Sequence, residues 1–401
     1  MKKFLLFALS LCFLWVIVPS ATNHSFYCYA TDEAIEDVIS EGDIEDEISD
    51  QLDDLDFSEL DKILENFTSN QSSIFGSSSF IEKLKQLISG DFDDGQSLFQ
   101  GIINVFFESL LSLLPSLSII IAISLLGNMI QGIKPTSNGK SLSNIIHFVT
   151  YGVVVVLVLS IVIKMISLAT GTLTTIQNQM NSIFPILLTL LTAIGGTSSV
   201  SVYQPAMALL TNGILNLFTY ILLPLFIFSV VFSIISNLSN SVKLDKFTSF
   251  CNSTFKWIVG LVFTIFTAFL SLQGITAGSM DGISIRTAKY AIRSYVPILG
   301  SYLSDGMSLI LVSSNIIKNA VGAGGLFLML ASILSPLIEM IIFMLALKLI
   351  AGIVEPLGNK QIANFVSSLS KSMVLLIVIL IGVAFVYFIL IGLVMCSANI
   401  A

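Results

Sequence analysis

The sequence has few charged side chains: only 11% of its 401 residues are Asp, Glu, Lys or Arg, while 55% are hydrophobic. Soluble globular domains carry about 25% charged residues. A water-soluble fold of this length has too little polar surface to cover so much apolar area, whereas a protein in a bilayer does not need that cover. The composition, with a mean hydropathy of +0.93, therefore argues against a soluble enzyme and predicts an all-α, polytopic integral membrane protein.

The sequence also lacks the residue patterns of common catalytic and metal sites. Its four cysteines have no metal-ligand spacing. It contains no G-x-x-x-x-G-K-[ST] loop for nucleotides and no H-E-x-x-H or G-x-S-x-G motif. We therefore expect a non-enzymatic protein with no catalytic residue, metal, cofactor or nucleic-acid partner. If it moves a solute against a gradient, a partner or an ion gradient supplies the work.

The N-terminus has the pattern of a secretory signal sequence. Lys2 and Lys3 precede an apolar stretch of 15 residues, Phe4–Val18, as in signal peptides. Cleavage after Ala30 defines a signal peptide of residues 1–30. Cleavage near Ser20–Ala21 and retention as an uncleaved anchor are the alternatives. In each case the next segment is predicted to be extracytoplasmic.

Charge divides the rest of the chain into two parts. Residues 31–101 hold 20 acidic and 3 basic side chains, whereas residues 102–401 hold 6 acidic and 13 basic ones. Apolar residues recur in the acidic part at steps of three and four, which predicts short amphipathic helices. This extracytoplasmic segment is either a docking module for a basic partner or a solvated helical hairpin lying over the membrane domain.

Residues 102–401 form the predicted membrane domain, with six apolar windows long enough to cross a bilayer. Two shorter apolar pieces, Ile183–Ile194 and Val296–Val312, are interrupted by Gly, Ser and Pro. Pieces of this length favour broken or re-entrant helices. The six windows are 113–132, 146–169, 216–238, 257–275, 326–349 and 373–395.

An internal duplication is predicted from a shift of 112 residues, which gives 13 identities over the 44 positions that begin at Ser182. Pro185 then matches Pro297, and Pro224 matches Pro336. The units are residues 180–291 and 292–401. Two net crossings in each make the repeats parallel, and such repeats build transporter and channel cores with the path at their interface. The alternative is an old duplication that now only packs.

The second repeat unit carries three ionisable residues where the first has apolar ones: Glu339, Asp305 and Lys318. A carboxylate within a membrane span faces protein or water rather than lipid. Glu339 also follows Pro336, whose missing N–H frees a carbonyl on the preceding turn. The candidate polar, pore or helix-break positions are Glu339, Asp305, Lys318, Pro185, Pro297, Pro224 and Pro336.

The segment Tyr290-Ala-Ile-Arg-Ser-Tyr-Val-Pro-Ile-Leu-Gly-Ser-Tyr-Leu-Ser-Asp305-Gly306, with the signal sequence, acidic region and repeated membrane domain, resembles the stage III sporulation protein AE family of endospore-forming bacteria. The resemblance implies a polytopic subunit of the multi-protein channel between mother cell and forespore, in the mother-cell membrane around the forespore. It also implies other membrane subunits, ring-forming partners and a separate cytoplasmic ATPase. The family has no established catalytic residues.

Two other functions are compatible with the same residues. The chain could be an autonomous ion-coupled secondary transporter, with Glu339 as the coupling group, or a membrane scaffold without a conduction path. An autonomous transporter should move its substrate when reconstituted alone. A scaffold should tolerate apolar substitutions at Asp305 and Glu339 as long as the assembly survives.

The basic loops and the parallel repeats predict that Lys246 and Lys371 lie on the same, cytoplasmic side of the membrane. Single-cysteine variants at the two positions should therefore react with a membrane-impermeant maleimide from the same side. Labelling from opposite sides would contradict the parallel arrangement.

Overall fold

The computed structural model describes residues 41–67, 71–72, 79–89, 95–132, 139–238, 244–276, 300–356 and 360–397, and every regular element within these ranges is helical. The predicted signal peptide, Pro297 and Tyr290–Leu299 of the segment quoted above lie outside the described residues. The helices are α1 (Glu41–Asp53), α2 (Ser58–Glu65), α3 (Phe80–Ser89), α4 (Gly95–Gly132), α5 (Gly139–Ala193), α6 (Thr197–Ala208), α7 (Leu215–Leu217), α8 (Leu223–Leu238), α9 (Asp245–Thr276), α10 (Gly300–Val354) and α11 (Lys360–Cys396).

Two π-helical segments join α6, α7 and α8 into one irregular rod: π1 (Leu209–Ile214) and π2 (Phe218–Leu222). Pro224, the second residue of α8, has no N–H and cannot donate to the Tyr220 carbonyl. The wider turns of π2 lie immediately before it. π-helical turns are rare and occur mostly as such local bulges within longer helices.

A glycine turn separates α5 from α6 and reverses the chain. The Gly195 N–H donates to the Thr192 carbonyl, and the Gly196 N–H donates to the Leu191 carbonyl, both at 2.9 Å. Gly195 has a φ of 81°, the left-handed conformation that this helix ending requires and that glycine adopts without strain. The long α5 can therefore turn back on itself within three residues.

The described parts of the two predicted re-entrant pieces belong to longer helices, and their re-entry into the membrane stays a prediction. Ile183–Ala193 is the end of the 55-residue α5, and residues 300–312 begin the 55-residue α10. The shift of 112 residues pairs Gly195 with Met307. A methionine disfavours the positive φ that the turn at Gly195 requires. Helix α10 therefore continues at the position where α5 ends in a turn. The matched stretches thus fold differently here, and the duplication itself stays a prediction.

Six of the described helical stretches are long and apolar enough to cross a membrane, and each overlaps one of the six predicted windows. The first of them starts at Phe99 within α4, which begins at Gly95, so the predicted domain boundary at 101 falls inside a helix. The chain is an all-α polytopic membrane bundle. The remaining stretches are Phe148–Ala193, Thr211–Asn237, Asp245–Phe269, Gly306–Val354 and Lys360–Cys396.

The last helix, α11, occupies the centre of the bundle. Of its most apolar window, 61% is buried, against 22% for the peripheral α9. It runs antiparallel to α8, with Ser368 beside Ser233 and Ser372 beside Ser229. It runs parallel to α5, whose Tyr151 ring packs on Phe365 at a centroid distance of 5.7 Å. Helix α10 packs along it as an antiparallel neighbour.

The exposed side chains of α5 show how much of the bundle can lie in lipid. Between Ile145 and Ile163 the exposed stripe is mainly Ile, Val and Phe, over a length of about 28 Å at 1.5 Å per residue. From Lys164 to Thr192 the same stripe carries Lys, Ser, Thr and Asn. Because a hydrocarbon core is about 30 Å thick, only the first half of α5 matches a bilayer.

The acidic helices α1–α3 pack against the polar half of this bundle. The Ser314 hydroxyl of α10 donates to Oε1 of Gln51 in α1 at 2.8 Å. Phe80 of α3 is fully buried, and it lies with Leu84 directly against Gly324 of α10. The backbone N–H of Phe80 also donates to Asp61 of α2 at 3.0 Å, which ties the short helices together.

The packing of Phe80 predicts that Phe80→Ala loosens the acidic helices from α10. Removing a buried Phe ring typically costs about 3–5 kcal/mol. The variant should show a lower thermal midpoint in detergent and faster proteolysis between residues 41 and 89. Phe99→Ala, at an exposed position of α4, is the control, and equal behaviour of the two variants would contradict the docked arrangement.

Candidate functional site

Glu339 pairs with a lysine at the point where the exposed stripe of α5 becomes polar. Its Oε2 lies 3.9 Å from Nζ of Lys164. The Glu339 side chain is 20% exposed and that of Lys164 is 60% exposed. Since Lys164 is the first charged residue after the apolar half of α5, Glu339 lies near the edge of the lipid-facing region rather than at its middle. Its functional role stays a prediction.

Lys318 is fully buried between α10 and the end of α11. Its ammonium donates to the backbone carbonyl of Ser397 at 2.7 Å. The Ser397 hydroxyl lies within hydrogen-bond distance of Tyr203 Oη, at 2.8 Å, and of the Leu393 carbonyl. A cation at a helix C-terminus satisfies a carbonyl that has no partner in the helix and interacts favourably with the helix dipole. Lys318 therefore fixes the end of the central helix.

Hydroxyl and amide groups join three helices inside the apolar half of the bundle. Ser229 of α8 donates to Oδ1 of Asn252 in α9 at 2.8 Å, and its oxygen lies 3.3 Å from Oγ of Ser372 in α11. One turn away, Ser233 donates to Ser368 at 2.9 Å. Small polar residues of this kind let helices approach closely in lipid and bond across the interface.

The other predicted positions that the structure describes are spread over α5, α8 and α10. Asp305 lies in the second turn of α10. Pro185 is exposed in α5, Pro336 is buried in α10, and Pro224 follows π2. Glu339 contacts α5, whereas Lys318 contacts α11. Glu339 and Lys318 thus contact different neighbouring helices, and the functional roles of all these positions stay predictions.

Sequence reasoning missed the side chains that hold the bundle together. Ser229 and Ser233 are four residues apart, as are Ser368 and Ser372. This small-x-x-x-small spacing within apolar windows is the known signal of a helix contact in membranes, and it could have been found. Tyr203 and Ser397 had no such signal, because the Tyr203–Ser397 and Lys318–Ser397 contacts join residues 194 and 79 positions apart in the chain.

Comparisons with known proteins point to one family. The family model described as Stage III sporulation protein AE matches residues 78–398, so α1 and α2 precede the matched region. The Stage III sporulation protein AE of Bacillus subtilis (strain 168) is 25% identical over 318 residues, which cover 79% of this chain and 80% of the relative. No solved structure matches the chain.

The buried contact of Lys318 predicts a loss of stability in Lys318→Met, which keeps the length of the side chain but removes the donor. The Ser397 carbonyl would lose that donor, and an unsatisfied buried group costs about 1–3 kcal/mol. Thermal unfolding in detergent should show a lower midpoint than the wild type. Lys371→Met, at an exposed position of α11, should leave the midpoint unchanged. A midpoint equal to or above that of the wild type in Lys318→Met would contradict this role.

Proposed function

Because the chain belongs to the stage III sporulation protein AE family, we propose that it is a non-enzymatic membrane subunit of a transport or channel complex between mother cell and forespore. Family membership makes it a sporulation protein, and its six apolar helices make it a multi-pass membrane protein. The complex, its location in the mother-cell membrane around the forespore and the extracytoplasmic position of α1–α3 belong to the proposal.

The filled centre of the bundle is the observation that favours a subunit over an autonomous transporter. A chain that conducts alone needs a water-lined path, but α11 occupies the middle and most of its side chains are buried. Fully buried side chains include Leu369, Leu376 and Tyr387. A passage built with this protein would therefore lie between chains, along an outer surface of the bundle.

Energy for transport would come from a separate cytoplasmic ATPase, with further membrane subunits as partners. The basic ends of α9 and α11 support a cytoplasmic face near Lys246, Lys360 and Lys371, since cytoplasmic loops carry an excess of Lys and Arg. The contacts of Ser229 with both Asn252 and Ser372 bring these ends together at one end of the bundle. The acidic helices pack toward the other end.

One feature favours the second candidate, an ion-coupled transporter: the Glu339–Lys164 pair on apolar helices. Glu339→Gln keeps hydrogen bonding but removes the charge, so coupling through this carboxylate would be lost. As a subunit, the protein should retain its function in this variant. Glu355→Gln, at the exposed end of α10, is the matched control.

The test combines complementation and reconstitution. In a sporulating host that lacks its own gene for this protein, wild type and Glu339→Gln should both restore late gene expression in the forespore, measured with a forespore reporter. In liposomes the purified chain alone should release no entrapped small dye, and release should require co-reconstituted partner subunits. Release by the chain alone, or loss of complementation only in Glu339→Gln, would contradict the proposal.

A further inference from the structure

One stripe of exposed residues follows α5 from end to end, and its second half has an unusual composition. Exposed positions recur every three or four residues, from Ser167 through Thr174, Asn178 and Thr189 to Thr192. None is charged, because the sequence has no Asp, Glu, Lys or Arg between Lys164 and Lys243. This half of the helix extends beyond the length that matches a bilayer, yet it lacks the charges of a solvated helix.

The same composition continues onto the neighbouring rod. Nε2 of Gln177 in α5 donates to Oδ1 of Asn212 in π1 at 3.2 Å, so the two helices share one surface. Thr197, Ser201 and Gln204 are exposed on α6. We call the exposed residues of α5 from Ser167 to Thr192, with those of α6 and π1 from Thr197 to Asn212, the neutral face.

Several hydroxyl groups of the neutral face already donate to carbonyls of their own helices. Thr174 donates to the Thr170 carbonyl at 3.0 Å, Thr189 to the Pro185 carbonyl at 2.9 Å, and Ser201 to the Thr197 carbonyl at 3.0 Å. The face therefore presents methyl groups, small side chains and the amides of Asn178 and Asn181. Such a surface permits close approach of another helix.

Charge depletion distinguishes this face from a surface that only contacts water. Solvated surfaces carry about 25–35% charged residues, and the acidic helices of this protein meet that description, with exposed Asp46, Asp50 and Asp53. The buried centre of a protein interface is instead depleted of charged residues. The neutral face shares this lack of charge with an interface.

We propose that the neutral face is where a second copy of this chain docks, with the two copies related by a two-fold axis along the membrane normal. The membrane holds both copies in the same orientation, and a neutral surface meets itself without charge repulsion. Asn178 and Asn181 carry both donors and acceptors, so each can pair with its own symmetry mate. An approach through α1 and α2 would bring acidic surfaces together.

The size of the neutral face agrees with a stable dimer. The α5 part is about 38 Å long at 1.5 Å per residue. The α6 and π1 part is about 24 Å long, and each helix is about 10 Å wide. The face therefore offers roughly 600 Å² per copy, at the lower end of the range for stable interfaces, whose standard size is about 800 Å² per partner. The apolar stripe of α5 from Ile145 to Ile163 continues it toward the membrane.

Oligomeric state tests this interface directly. The full chain in lipid nanodiscs or mild detergent should be a dimer by mass photometry and by size-exclusion chromatography with light scattering. Asn178→Glu and Thr189→Glu each place like charges on both sides of the axis, which should raise the dimer dissociation constant at least about tenfold. Asn178→Gln should keep the dimer, because it preserves the amide.

Two controls make the result decisive. Ser49→Glu adds the same charge at an exposed position of α1 and should leave the dimer intact, and all variants should keep the helical circular-dichroism spectrum of the wild type. A further control uses a variant in which the native cysteines are replaced, studied in membranes. In this background Asn178→Cys should form a disulfide-linked dimer on mild oxidation, whereas Ser49→Cys should not. A monomeric wild type, or Glu variants that remain dimeric, would overturn the proposal and leave the neutral face to a different partner or to water.

Discussion

The structure depends on one mismatch of length, between helices of 55 residues and a hydrocarbon core about 30 Å thick. A helix of this length spans about 80 Å, so lipid can cover less than half of α5 or α10. The remainder needs a different cover. On α10 the acidic helices provide it, and on α5 the exposed stripe changes from Ile, Val and Phe to Ser, Thr and Asn near Lys164.

Two kinds of contact hold this extended bundle together, one in its apolar half and the other in its polar half. In the apolar half, Ser229, Ser233, Ser368 and Ser372 join antiparallel helices where the hydrophobic effect between helices is weak. In the other half, Lys318 fixes the end of α11 through Ser397, and Phe80 covers Gly324. The central helix is thus held by contacts in both halves of the bundle. Its sides pack against neighbouring helices and do not line a passage.

This division bears on how a channel subunit could work. A packed interior favours a passage between chains, and the surfaces available for contacts between chains differ in charge around the bundle. The acidic helices repel a copy of themselves and are suited to a basic partner, whereas the neutral face on α5 and α6 can meet its own copy. The Glu339–Lys164 pair marks the boundary between the lipid-facing and polar halves, where water can stabilise both charges.

The sequence by itself determined the membrane class, the six apolar stretches and the acidic helices, because these depend on composition and on periodicity along the chain. It also contained the serine spacing of the helix contacts. Only the tertiary structure decided that residues 183–193 and 300–312 belong to long helices, since a glycine at 195 permits a turn that Met307 disfavours. It also decided that Glu339 meets Lys164 and that Lys318 meets Ser397. Such pairs come from distant parts of the chain, and local pattern carries no information about which helices become neighbours.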